Sequence, residues 1–134
     1  METWRGKWAL VTVSSTASFQ PVPYFSTYSA TTGFDMLFAG SIAEELRPYG
    51  VRVCALCPGS TMTEFHQVAG ISGSRRGRRQ ESAENVARVG LAALAQGKPL
   101  VISGLRNRLA MEVQRALPRR VVARITGFMF RPQE

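Results

Sequence analysis

Apolar residues fall in two rhythms along this chain. Trp8 to Ser14, Trp-Ala-Leu-Val-Thr-Val-Ser, is a short apolar run. It is too brief for a helix and β-branched enough for a buried strand. Val51 to Leu56 repeats the pattern and is stopped by Pro58-Gly59, and Leu100-Val101-Ile102 gives a third, shorter strand. Between them the spacing changes to three and four. Phe34, Leu37, Phe38, Ile42 and Leu46 predict a helix over Tyr28 to Arg47, closed by Pro48-Tyr49-Gly50. Ser82 is a good N-cap for a helix over Ala83 to Gln96, which Gly97-Lys98-Pro99 ends. From Leu105 onward the chain is amphipathic and basic, with one stripe of Leu109, Val113 and Leu117. Pro118 breaks that helix, and Val121, Val122, Ile125 and Phe128 form another stripe after it.

The alternation of strand and helix predicts an α/β domain. About three parallel strands would be joined by right-handed crossovers and flanked by helices. A length of 134 residues suits one domain with one modest core. The first strand would leave an open sheet edge, which invites pairing with another chain. A homo-oligomer through that edge or through the 28–47 helix is the expected assembly. Ser15 to Thr27, with Pro21 and Pro23, reads as a loop, as does the glycine-containing stretch 59–80. Loops as long as the second commonly serve a site.

Charge divides the chain. Residues 1–69 hold four basic and five acidic side chains, whereas residues 70–134 hold thirteen and four. No aromatic residue interleaves with Arg75-Arg76-Gly77-Arg78-Arg79, so the stacking platform of a single-strand binder is missing and no nucleic-acid partner is expected. No apolar stretch approaches the roughly 20 residues that cross a bilayer. The apolar run after Arg5 and Lys7 is interrupted by Ser14, Ser15, Thr16 and Ser18 and makes a poor signal sequence. A cytoplasmic protein is expected, with the C-terminal stripes packed on the sheet or on a second copy instead of on a membrane. Cys54-Ala-Leu-Cys57 has a redox-motif spacing but falls in a predicted strand, so both cysteines are read as structural. No metal site is expected.

Candidate chemistry centres on Ser15 and, thirteen residues later, Tyr28. A tyrosine hydroxyl, with a reference pKa of about 10, is about one part in a thousand phenolate at neutral pH. A cation four residues along the same helix face would favour the charged form. Thr32 occupies that position and offers only a hydroxyl. A serine ending a strand can donate to a substrate carbonyl and stabilise negative charge as it develops.

Several segments together resemble the short-chain dehydrogenase/reductase family. Val11-Thr12-Val13-Ser14-Ser15 is similar to its fifth strand and catalytic serine, and Tyr28-Ser29-Ala30-Thr31 to the start of its active-site helix. Ile42-Ala43-Glu44-Glu45-Leu46, followed by Gly50-Val51-Arg52-Val53, resembles the end of that helix and the sixth strand. Pro58-Gly59-Ser60-Thr61-Met62-Thr63 is similar to the Pro-Gly-x-x-x-Thr motif. The resemblance covers about residues 8–104, with 105–134 as a C-terminal helical extension. It implies a partial Rossmann-like fold supplying the last three strands of the order 3-2-1-4-5-6-7. It also implies hydride transfer between NAD or NADP and a small carbonyl or alcohol. Tyr28 would donate or accept the proton, Ser15 would orient the substrate oxygen, and Pro58, Gly59 and Thr63 would lie against the nicotinamide. The loop at 64–80 would form a substrate lid.

Three departures qualify the resemblance. Thr32 stands where the family has the lysine that holds the nicotinamide ribose and assists the tyrosine, so it is the residue left to face the cofactor there. No Gly-x-x-x-Gly-x-Gly occurs in the chain, and a dinucleotide site depends on such a turn. The helix carrying the family's catalytic asparagine is also missing. The expectation is a truncated C-terminal half of the family fold, inactive alone, or a reading frame that begins late at an internal Met1. The alternative is a non-catalytic assembly module that pairs with itself or with a full-length relative. His66, and the Arg75–Arg79 cluster as a possible phosphate contact, are read as ordinary loop residues.

Overall fold

The computed structural model describes residues 8–64, 68 and 80–132. Three strands form the central sheet: β1 (Ala9–Val13), β2 (Arg52–Cys57) and β5 (Leu100–Ile102). Their order is β1-β2-β5, and both pairings are parallel, with Ala9 opposite Arg52 and Ala55 opposite Leu100. Helix α1 (Ser26–Leu46) connects β1 to β2, and α2 (Ala83–Ala95) leads into β5. Two further helices follow, α3 (Leu105–Arg115) and α4 (Arg119–Phe130), separated at Pro118 as the sequence predicts. The mixed α/β architecture expected from the strand–helix alternation is therefore the architecture present.

β2 explains the core. It lies between two strands and between two helical layers, so Val53 through Cys57 are all buried, which requires an unbroken apolar run. On one face Val53 and Ala55 meet Ala39 of α1, with Met36, Ile42, Ala43 and Leu46 around them. On the other, Cys54 packs with Ala93 and Leu94 of α2 and with Val11 and Val101. β1 is the exposed edge of the sheet, and Trp8 beside it is 81% accessible.

The helical periodicity placed α1 correctly, and its apolar residues divide between two faces, Ile42 and Leu46 packing on the core. Phe34, Leu37 and Phe38 point outward, and the phenyl rings of Phe34 and Phe38 stack at 5.7 Å. The inner face is Thr32, Met36, Ala39 and Ala43. Small residues there let the helix lie close on β2, which bulky rings would prevent. A 3₁₀ turn over Arg47–Tyr49 ends the helix, and Gly50 adopts a φ of 73°, the left-handed conformation expected at a helix terminus. Ser82 caps α2 as expected, its hydroxyl accepting from the Asn85 amide.

The 59–80 stretch holds one feature that the sequence did not reveal. Thr61–Met62 (β3) pairs in parallel with Glu81–Ser82 (β4). The pair brings the two ends of the segment between them to one place. Two-residue strands carry no readable periodicity, and their pairing is set by anchoring at each end. Glu81 supplies that anchor: its amide donates to the Ser60 carbonyl, and its carboxylate accepts from Ser103 Oγ at 2.5 Å and from the Asn85 side chain. Arg5, Lys7, His66, the Arg75–Arg79 cluster and most of the expected 64–80 lid lie outside the described residues.

Both cysteines are buried free thiols, consistent with the structural reading. Burial pushes the Cys54 thiol up to about 11, with the neighbouring Cys57 adding to the effect. Burial also raises Cys57, against hydrogen bonds from Ser14 and Ser18 that pull the other way. An acid held protonated in the folded state costs the fold nothing while the unfolded chain keeps its proton too, and costs it stability once the unfolded chain ionises. Stability is intact below about pH 9 and is lost as pH rises toward about 11, a change of about 2–3 kcal/mol for Cys54. Denaturant unfolding at about pH 8 and about pH 11 should show this loss, and Cys54→Ala should remove it. An equal fall in the variant would contradict the assignment. Neither thiol should react with a thiol reagent at neutral pH until the chain unfolds.

Candidate active site

Ser15 follows directly on β1. Its backbone is held on both sides, because the Ser14 amide donates to the Leu56 carbonyl at 2.8 Å and the Thr16 amide to the Pro58 carbonyl at 3.0 Å. Ser15 then caps a 3₁₀ turn over Thr16–Phe19, its Oγ accepting from the Ala17 amide at 3.1 Å. A serine hydroxyl that accepts in this way still has its hydrogen to donate. One residue earlier, Ser14 Oγ donates to the Thr32 carbonyl at 2.8 Å, a buried bond that ties the end of β1 to α1. Tyr28 lies in the first turn of that helix and is half-buried.

A cavity of about 430 Å³ opens at the C-terminal ends of β1 and β2. That is where parallel α/β sheets place their ligands. Ser15, Tyr28, Pro58, Gly59 and Thr63 all line it. Five of the six residues selected from sequence therefore share one wall system. Thr32 does not line this cavity. It is 7% exposed, and its hydroxyl donates to the Tyr28 carbonyl at 2.9 Å and the Ser29 carbonyl at 3.3 Å. The side chain that takes the lysine position is spent on its own helix.

The remaining walls combine polar residues with apolar ones that were not foreseen. Val22, Phe25, Leu56 and Val86 contribute, and Phe130 reaches in from α4. The rings of Phe25 and Phe130 meet edge to face at 5.4 Å. Thr126 Oγ1 fixes this arrangement by donating to the Pro21 carbonyl at 2.9 Å, across 105 positions of sequence. Tyr24, just before Phe25, has a φ of 68°, a costly conformation for a non-glycine residue. The only sequence signal for these walls was the pair of prolines, which marks a fixed loop but not its partner.

Gly59 is set by close packing. A Cβ there would stand 2.3 Å from the Asn107 side-chain nitrogen, which itself donates to the Ser103 carbonyl at 2.8 Å. Gly59→Ala should displace Asn107, break that bond and cost about 1–3 kcal/mol. A melting curve unchanged from the parent would show that Asn107 moves aside freely.

Cofactor groups can be matched to this cavity in part. Ser60 Oγ, on the wall beside Gly59, is buried without a hydrogen-bond partner among the described residues, so a polar ligand group has a hydroxyl to meet. Pro58, Gly59 and Thr63 line the same cavity. No group of three or more His, Cys, Asp or Glu among the described residues is placed to hold a metal ion. No helix among them is long and apolar enough to cross a membrane.

Known proteins bear on this arrangement. The family described as short chain dehydrogenase matches residues 3–71. An uncharacterized oxidoreductase of Methylorubrum extorquens is 35% identical over 66 residues, covering 49% of this chain and 27% of that protein. Human dehydrogenase/reductase SDR family member 4 is 38% identical over 64 residues, covering 48% of this chain and 23% of that protein. Among solved structures, a short chain dehydrogenase from Burkholderia cenocepacia in complex with NADP superposes with a TM-score of 0.70 at 22% identity, covering 87% of this chain and 46% of that one. A short-chain dehydrogenase from Sphingobium yanoikuyae in complex with NADPH gives 0.68 at 22% identity, covering 94% and 46%. At these identities the structures establish the fold. The chain spans 46% of the solved structures, and its matched segment spans 23–27% of the curated relatives. Sequence, sheet topology and the serine–tyrosine cavity converge, and this chain belongs to the short chain dehydrogenase family.

Proposed function

We propose that these 134 residues carry the substrate side of an NAD(P)-dependent oxidoreductase site acting on a small carbonyl or alcohol, and that they do not turn over alone. The observation that carries this reading is the common cavity of Ser15, Tyr28, Pro58, Gly59 and Thr63. The cofactor, when bound, supplies or accepts the hydride. Tyr28 gives a proton to the substrate oxygen in reduction and takes it back in oxidation, and Ser15 donates a hydrogen bond to the same oxygen. Pro58, Gly59 and Thr63 hold the nicotinamide face. The apolar walls exclude water from the reacting carbon.

Inactivity of the isolated chain follows from two features. No cation stands four residues after Tyr28, and no residues here form the glycine-rich turn that holds a pyrophosphate. Titration of the purified chain with NADH and NADPH, followed by fluorescence or calorimetry, is expected to show no micromolar binding. Micromolar binding would overturn this part of the reading.

A second reading, an assembly module, is favoured by the outer face of α1. Phe34, Leu37 and Phe38 are exposed together, and the β1 edge is open. Light scattering should then report a dimer or a complex with a full-length relative. A monodisperse monomer at all concentrations would remove this reading.

A further inference from the structure

The C-terminal helices present an apolar surface that no described residue covers. Leu109 and Val113 of α3, Leu117 just after it, and Ile125, Phe128 and Met129 of α4 are exposed, Phe128 to 86%. The sequence pattern suggested that these stripes pack on the sheet or on a second copy. An open apolar groove of about 960 Å³ separates the two helices, and most of these side chains line it. Only Met111, Val122 and Thr126 of the pair are buried.

The charge around the groove says what would cover it. Residues 105–131 contain seven arginines and one acid, Glu112. Arg106 and Glu81 are the charged residues that line the groove itself, and outside its lining Arg120 and Arg124 lie one turn apart on α4, beside the row of Val121 and Ile125. Two copies of this face would bring like charges together, so a symmetric dimer through it is disfavoured. An apolar strip bordered by arginines matches the boundary of an anionic bilayer, where acyl chains take the apolar side chains and phosphates take the guanidiniums. At about 1.5 Å per residue the helices reach only about 16–18 Å, well short of the roughly 30 Å hydrocarbon layer, so they suit the interface and not a span.

We propose that the α3–α4 hairpin docks on a membrane surface containing anionic lipid, with Phe128 and the groove leucines entering the headgroup boundary and Arg120 and Arg124 meeting lipid phosphates. The groove shares Thr16, Gln20, Gly59, Ser60 and Phe130 with the Ser15–Tyr28 cavity, so the docked face opens toward it. The proposal is independent of the redox reading, because docking needs neither cofactor nor substrate.

Co-sedimentation of the whole chain with vesicles tests it. Vesicles of phosphatidylcholine with phosphatidylglycerol should retain the protein, at least about tenfold more than phosphatidylcholine alone, and added salt should weaken retention. Arg120→Gln with Arg124→Gln should lower partitioning about 30-fold. Phe128→Ser should lower it about tenfold with unchanged circular dichroism, since the ring makes little contact within the fold. Arg47→Gln with Arg88→Gln removes the same charge from exposed ion pairs on α1 and α2 and should change partitioning less than about twofold. Absence of vesicle binding would overturn the proposal, as would equal losses in the two arginine pairs. Salt-sensitive binding to DNA, with vesicle retention unaffected by Phe128→Ser, would also overturn it in favour of a nucleic-acid face.

Discussion

Thr32→Lys is expected to lower the melting temperature by about 8 °C and to leave carbonyl reduction undetectable in the 134-residue chain. The substitution restores the family residue at its family position, so recovery of activity would be the simple expectation. The structure argues otherwise. Position 32 is buried on the inner face of α1, its carbonyl holds Ser14, and its side chain bonds back to Tyr28 and Ser29. An ammonium placed there loses its water and must find compensation. Asp35, one turn further along α1, shares that side of the helix and limits the cost to about 2 kcal/mol. For a chain of this size that amounts to about 8 °C. Turnover would still lack the pyrophosphate turn, which one lysine does not supply. A thermal melt and an NADPH-oxidation assay check both halves. Measurable reduction by this variant would show that position 32 alone separates the chain from a working enzyme.

Leu56→Ala should cost more, about 3 kcal/mol, or about 12 °C in melting temperature. Leu56 is 4% exposed on the central strand, and its methyl group fills the space where a side chain at Gly90 of α2 would stand. Truncation removes one of the contacts that seat α2 on the sheet. Because Leu56 also lines the active-site cavity, the void merges with existing space and the site enlarges. Urea unfolding gives the energy. A loss below about 1 kcal/mol would mean that α2 closes the gap by itself.

These two positions mark what the sequence could convey. The strands around Val11, Ala55 and Val101 were legible because burial on both faces forces a continuous apolar run. Ser15, Tyr28 and Pro58-Gly59 were legible as chemistry only because several motifs stood in register with one family. Thirteen residues of separation between a serine and a tyrosine carry little information on their own. Thr32 could be noted as a substitution, but its hydrogen bonds back into the helix could not, since they depend on rotamer and burial. The inner face of α1 could not be read from its apolar pattern, because Phe34 and Phe38 outweigh alanine there, whereas packing against a sheet favours the smaller residue. Phe130 could not be placed at all. Its partner, Phe25, lies more than a hundred residues earlier, and periodicity reports only on neighbours along the chain.

That last contact also sets the order of events as the protein is made. Ser15, Phe25 and Tyr28 leave a ribosome about a hundred residues before Thr126 and Phe130, which close the same cavity. The central sheet can form while synthesis continues, but the cavity cannot close until α4 is complete. A nascent chain will therefore have Ser15 and Tyr28 in place before it has a pocket, and the pocket will report that synthesis has passed α4.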